Sequence, residues 1–313
     1  MILTVTLNAA LDVTHHLDRL RPHESNRVGA VAARAGGKGI NVSRVLQALG
    51  QETVVTGLAG GLTGAAVHRE LTAAGLTHDL VTIDGETRRT VAVVDEKLGD
   101  TTILLEPGPV ITADEWAGFL HTYDKLVARA AAVVLAGSLP VGVPTNAYAV
   151  LIRRARAHHV PAVLDADGKA LRAGLSEAPA IIKPNAAELS VVSGSSDPQA
   201  GAAALRAAGA QAVVASAGPD GMIACTDQGS WRARPPQRLA GNPTGAGDAA
   251  VAALTLGLVQ DAPWPVRLTE AVALSAAAVA APLAGDFDPT VHRRLLEEIT
   301  VESLPAPKTQ TTS

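Results

Sequence analysis

The sequence predicts an α/β fold in which a doubly wound, mostly parallel sheet carries helices on both faces and a small antiparallel sheet stands apart from it. Three observations predict it. Short aliphatic and β-branched runs alternate with helix-like segments almost from end to end of the 313 residues. Several of these runs are apolar at nearly every position, as strands are when helices cover both their faces. Two stretches, 13–34 and 87–105, instead pair strand-like runs with no helix between them.

Ile2–Leu7, Thr53–Leu58, Ala132–Ala136, Ala162–Leu164, Ala180–Ile182 and Ala212–Ala215 read as the buried strands. Helices fill the intervals. Val42, Val45, Leu46 and Leu49 recur at i, i+3, i+4 and i+7, and Gly50 stands where a C-terminal cap belongs. Asp197-Pro198 reads as an N-cap followed by a first-turn proline. The alanine-rich stretch Ala271–Ala284 is shorter than the roughly 20 residues a membrane span needs, and predicts a buried helix. The expected organisation is one domain over 1–304, with the segments 13–34 and 87–105 as a candidate lid. A short polar stretch, 305–313, is expected to fray.

Composition narrows the function classes. Hydrophobic residues make up 47% of the chain and aromatics only 2%, so aliphatic and alanine side chains must fill a sizeable core. A net charge of −4 gives no reason to expect nucleic acid or an anionic membrane as partner. An anionic ligand would need a local cluster of Lys, Arg and backbone N–H groups. Cys225 is the sole cysteine, which excludes an intrachain disulfide and a thiol zinc set; it reads as a small buried hydrophobe. His15-His16 and His158-His159 are sequence neighbours, a poor arrangement for two ligands of one metal ion. The opening MILTVTLNAALD has no basic leader, so a cytoplasmic protein is expected.

Two glycine-rich stretches carry the candidate chemistry. The first, Ala35-Gly36-Gly37-Lys38-Gly39-Ile40-Asn41-Val42, precedes a helix. Its glycines let backbone approach a ligand, the helix N-terminus favours an anion, and Lys38 adds a charge. Gly39 stands where a Walker A loop would have Ser or Thr, so it is not that loop. The second is Gly241-Asn242-Pro243-Thr244-Gly245-Ala246-Gly247-Asp248, opening a long apolar helix. Amides of Gly245, Ala246 and Gly247 can form an anion hole, and Asp248 in the first turn is placed to act as a general base. The plain alternative is an ordinary helix start, where Asp is favoured by the helix dipole. Gly245, Gly247 and Ala250 also fit a dinucleotide-binding pattern with Glu270 further on. That pattern requires a strand before the turn, and Arg238–Pro243 is a poor one.

In their order, these stretches resemble the two signatures of the ribokinase-like sugar kinases, and within them the phosphofructokinase B branch, which includes tagatose-6-phosphate kinase and 1-phosphofructokinase. The resemblance runs from Met1 to about Glu298. It includes the opening through Asn8 with Asp12, then Asn26-Arg27-Val28, Thr87-Arg88, and the Gly137-Ser138-Leu139-Pro140 turn. Lys183-Pro184-Asn185 with Glu188, and Ser216-Ala217-Gly218 with Gly221, complete it. It implies an ATP- and Mg²⁺-dependent kinase acting on a sugar phosphate. Asp12, Gly36, Gly37, Lys38, Asn41 and Ser138 would hold the sugar, and Arg88 and Arg27 its phosphate. Asn185 and Glu188 would organise Mg²⁺ through water. Lys183, Asn185, Ser216, Gly218, Gly221, Gly245 and Gly247 would lie along the nucleotide, with Asp248 as base. A homodimer through the lid is expected, because exposed strand edges call for cover. Two alternatives remain open: a kinase for an unphosphorylated sugar or nucleoside, and an inactive sugar or nucleotide sensor.

Overall fold

The six apolar runs become six neighbouring strands, which is why no face of them is polar. The computed structural model of the chain describes residues 1–239 and 241–305. In chain order the strands begin with β1 (Ile2–Thr6), β2 (Ala10–Leu17), β3 (Ala30–Gly36), β4 (Thr53–Gly60), β5 (His78–Ile83), β6 (Arg88–Asp95) and β7 (Asp100–Leu105). They continue with β8 (Ala132–Ala136), β9 (Ala162–Asp165), β10 (Ile181–Ile182), β11 (Val213–Ser216), β12 (Met222–Cys225), β13 (Ser230–Arg234) and β14 (Thr300–Leu304). The helices are α1 (Lys38–Ala48), α2 (Gly61–Ala73), α3 (Ala113–Val127), α4 (Ala147–Ala157) and α5 (Gly168–Leu175). After them come α6 (Ala186–Ser193), α7 (Pro198–Ala207), α8 (Ala246–Val259), α9 (Trp264–Val279) and α10 (Pro289–Glu298).

Among the described residues the main sheet has ten strands in the order β14-β13-β12-β11-β10-β9-β8-β1-β4-β5. Pairing is parallel from β11 through β5 and antiparallel from β11 out to β14. Alternate side chains of the central strands enter two different cores. Leu3, Val5, Val133 and Leu135 join Phe119, Tyr123, Tyr148 and Leu151 of α3 and α4 on one face. Ile2, Val134, Ala136 and Val163 join Val42 and Leu46 of α1, Val251 and Leu254 of α8, and Leu268 and Leu274 of α9 on the other. Burial of both faces is what lets a strand dispense with polar alternation.

The smaller sheet has the order β3-β2-β6-β7. Its outer pairs are antiparallel, while β2 and β6 run parallel across the centre, since both strands set out from the same edge of the main sheet. That register puts Asp12 beside Arg34 on one side and Thr90 on the other.

Local signals hold where expected. Asp197 accepts hydrogen bonds from the amides of Gln199 and Ala200, with Pro198 in the first turn. Gly50 adopts φ +76° just past α1. The alanine-rich helix differs at its end: α9 stops at Val279, ahead of Pro282, which has no amide to continue it. No helix among the described residues is long and apolar enough to cross a membrane. The expected frayed stretch falls, apart from Pro305, outside the described residues.

Candidate active site

The carboxyl ends of the parallel strands all open on one side, the place where open α/β sheets bind ligands. Lys183 follows β10, and its amide donates to Leu164 O of β9 at 3.2 Å. Asn185 and Ser216 meet side by side in a parallel bridge. α1 is pinned beneath the site by Ser43, whose hydroxyl lies 2.7 Å from those of both Thr4 and Thr53. From that anchored helix rise Lys38 and Asn41.

Asp248 lies in the first turn of α8, only 6% exposed. Asn41 Nδ2 donates to its Oδ2 at 2.8 Å. The turn before it is built for glycine: Gly245 has φ +88°, and a Cβ there would sit 2.9 Å from Ala284 Cα. The amide of Ala246 is taken by Pro243 O at 3.2 Å. The amides of Gly245 and Gly247 have no backbone partner among the described residues and are available to an anion. Lys183 Nζ stands nearby, 3.4 Å from where a Cβ on Gly247 would be.

Asp165 ties this group together. It ends β9, is 2% exposed, and its Oδ1 lies 3.3 Å from Lys38 Nζ and 3.7 Å from Lys183 Nζ. Burial, and next the Asp165 charge, push the Asp248 carboxyl up to about 7, against the Asn41 hydrogen bond and the two lysines. Burial works against the charge of Lys38, but Asp165, Asp248 and Glu188 outweigh it and raise its pKa above the ordinary lysine value. A carboxylate so poised, hydrogen-bonded and flanked by ammonium groups and free amides, can take a proton while its surroundings hold an anion.

Across the cavity the smaller sheet contributes Asp12, Arg88, Thr90 and Leu105. Arg88 Nε donates to Asn8 O at 3.3 Å and Nη1 to Thr90 Oγ1 at 3.4 Å. Burial raises Asp12, against the Thr90 hydrogen bond and then Arg88.

One cavity of about 820 Å³ brings the group together: Asp12, Gly37, Lys38, Asn41, Arg88, Lys183, Asn185, Glu188, Ser216, Gly218, Gly221 and Gly245 to Asp248 all line it. Three residues expected at the sugar do not. Arg27 sits on the exposed connection between β2 and β3. Ser138 is turned to Asn8, whose Nδ2 donates to its hydroxyl at 3.1 Å. Gly36 lies under Asp12, where a Cβ would fall 1.9 Å from Asp12 Oδ2; its part is to leave that carboxylate room. Asn185 and Glu188 form a capping box, each side chain accepting the other's amide. That bond occupies Glu188 Oε2 and leaves Oε1 without a partner among the described residues.

Sequence reasoning missed Asp165, whose one signal was its place at the end of a buried parallel run. It also missed the apolar wall of Leu239, Val272, Ala276 and Val279. The dinucleotide alternative loses its footing, since the residues described between 238 and 243 form no strand.

The chain matches the pfkB family of carbohydrate kinases over residues 5–291. Among solved structures it is similar to phosphofructokinase-2 from Escherichia coli in complex with fructose-6-phosphate. The TM-score is 0.86 at 27% identity, covering 95% of this chain and 98% of that one. The E. coli protein has also been solved in a tetrameric inhibited form. A possible 1-phosphofructokinase from Thermotoga maritima aligns with TM-score 0.88 at 28% identity, over 97% of this chain and all of that one. A family match that takes in most of the central sheet and both glycine turns has one meaning: the chain belongs to the pfkB family of carbohydrate kinases, and is a sugar phosphotransferase.

Proposed function

We propose that the chain transfers the γ-phosphoryl group of ATP to a hydroxyl of a hexose phosphate (tagatose 6-phosphate, fructose 1-phosphate or fructose 6-phosphate), giving a bisphosphate. The observation that carries this reading is Arg88, a guanidinium on the smaller sheet that lines the same cavity as Asp248. A paired or forked guanidinium suits a phosphate already on the substrate. The complex of the E. coli relative with fructose-6-phosphate supports the same substrate class.

In this reading Asp12, Gly37, Lys38 and Asn41 hold the sugar with one hydroxyl against Asp248, which takes its proton. The Gly245 and Gly247 amides and Lys183 receive the charge of the transferring group, the larger part of catalysis in phosphoryl transfer. The nucleotide lies along Lys183, Asn185, Ser216, Gly218 and Gly221, its base against Val272, Ala276 and Val279. The smaller sheet is the lid, which keeps water from competing as acceptor.

The carboxylate of Glu188, whose Oε1 has no partner among the described residues, is a hard oxygen donor that would organise Mg²⁺ through water, with Asn185 beside it in the capping box. No cluster of three or more acidic, His or Cys side chains among the described residues could cage an ion alone, so nucleotide phosphates and water would supply the remaining ligands. When bound, the ion neutralises charge on the phosphates.

Turnover with ATP, Mg²⁺ and a panel of hexose phosphates beside the matching free hexoses tests the reading. Preference for a free sugar or nucleoside favours the first alternative. No turnover with any acceptor, despite nucleotide binding, favours the sensor.

The Asp248 carboxyl gives a pH signature. The reading needs the carboxylate, so kcat/KM should fall on the acid side with a limb near pH 7. Asp165→Asn removes a like charge and should move that limb to lower pH. A limb that stays put in the variant assigns it to another group.

The lid leaves Val31, Ile103, Leu104 and Leu105 exposed on its edge strands, with Leu105 at 71%. A cytoplasmic homodimer through the lid would cover them. A monomer by sedimentation at assay concentration would count against it.

A further inference from the structure

Arg34 of β3 reaches out of the lid and into the main domain. Its Nη1 and Nη2 donate to Asp286 Oδ2 and Oδ1 at 2.8 and 2.6 Å, fork to fork, and Nη1 also donates to Ala284 O at 3.2 Å. Bidentate pairs of this kind fix orientation as well as distance. The segment they grip, 284–286, is wedged against the reacting groups from two sides. Gly285 has φ +82°, and a Cβ there would sit 3.2 Å from Asn41 Cα and 3.0 Å from Arg44 Cδ. On the other side Ala284 lies against Gly245, so tightly that a Cβ on Gly245 would meet it at 2.9 Å. One short stretch thus packs against both Asn41, which holds Asp248, and Gly245, the first residue of the anion turn.

The lid end of the contact is equally well placed. Arg34 pairs across β2 with Asp12, one of the lid residues in the cavity. The next residue, Ala35, is fixed from behind: its amide donates to Glu70 Oε2 at 3.0 Å, and Arg44 bonds both Glu70 and Ala35 O. Neither Arg34 nor Asp286 lines the cavity.

We propose that Arg34 and Asp286 are positioning residues that couple the lid to the transfer machinery. Their ion pair sets the 284–286 segment, and through it the Gly245 turn and the Asn41–Asp248 pair, in register with the strand that carries Asp12. Transfer is then fast only when the lid stands where it holds the sugar. The inference rests on the roles given above to Asp248 and the Gly245 turn.

The test uses the full chain with ATP, Mg²⁺ and its best sugar phosphate. Arg34→Ala and Asp286→Ala should each lower kcat about tenfold, as small misplacements of reacting groups do, with a much smaller change in sugar-phosphate KM. More ATP should be hydrolysed per sugar phosphorylated. The double variant should be no worse than either single one, because both break one link. Arg34→Lys, which keeps the charge and loses the fork, should fall between. Asp286→Asn replaces the alanine variant if that fails to fold. A merely structural pair of this exposure would shift Tm slightly and leave kcat and coupling unchanged; that result, or additive losses in the double variant, overturns the proposal. Asp248→Asn is run alongside. If it is inactive while Arg34→Ala keeps full kcat, the coupling alone is wrong; if it keeps turnover, the assignment of the base is wrong and the proposal falls with it.

Discussion

Asp248→Asn is expected to cut kcat by about 10²–10⁴-fold, the usual contribution of a positioned general base. The amide has nearly the shape of the carboxylate and can still meet Asn41 Nδ2 through its oxygen, 2.8 Å away in the native arrangement. What it loses is the capacity to accept the hydroxyl proton. Nucleotide affinity should be nearly unchanged, because the residues proposed to hold the nucleotide, Ser216, Gly218 and Gly221 among them, keep their side chains and backbone in the variant. Folding should survive as well: burial already makes the charged carboxylate unfavourable here, and the neutral amide relieves that penalty. Nucleotide titration and thermal melting therefore accompany the rate measurement. A variant that binds ATP, melts normally and keeps more than about a tenth of the native kcat would show that Asp248 is not the base.

The centre of the fold was legible because its physics is local. All six apolar runs became the contiguous strands β11, β10, β9, β8, β1 and β4, where both faces are buried and most positions are apolar, with threonines such as Thr4 and Thr53 hydrogen-bonded inside. The strands not foreseen lie outside them. β5 buries only Leu80 and Ile83, and β14 reads Thr-Val-Glu-Ser-Leu with no residue buried. An edge strand needs only one apolar face, and a five-residue segment then carries too few apolar side chains to stand out.

The site divides along a similar line. The glycine turns were visible because conformation dictates residue type there: Gly37 at φ +115° and Gly245 at φ +88° are positions that disfavour other residues. Asp165 was not visible, since its partners Lys38 and Lys183 are brought to it by the sheet and nothing beside it in sequence marks the meeting. Arg34 and Asp286 are 252 residues apart, and their pairing exists only in three dimensions. Val272, Ala276 and Val279 line the cavity with side chains that an interior helix would have anyway. Arg27 shows the opposite failure: a motif position whose exposed connection keeps it outside the cavity of the single chain.

Substrate class turns on Arg88. Arg88→Ala is expected to lower kcat/KM for the hexose phosphate by roughly 10- to 150-fold, the rate equivalent of the ~1.5–3 kcal/mol of a charge-assisted hydrogen bond. The same change should leave the matching free hexose nearly unaffected, because that substrate has no phosphate to lose. The native contacts favour such selectivity. Nε and Nη1 are spent on Asn8 O and Thr90 Oγ1, which hold the guanidinium plane still, while Nη2 has no protein partner among the described residues. Burial pulls the arginine below its ordinary value, and Asp12 and then Glu106 push back; an incoming dianion would stabilise the same charge further. Arg27→Ala and the double variant belong in the same series, since only the cycle separates two guanidinium groups sharing one phosphate from one acting alone. The competing account makes Arg88 a strut that merely braces the connection between β1 and β2 against the smaller sheet through Asn8. A strut would serve both substrates alike, so equal losses with hexose phosphate and free hexose would remove the phosphosugar assignment and favour the kinase of an unphosphorylated sugar.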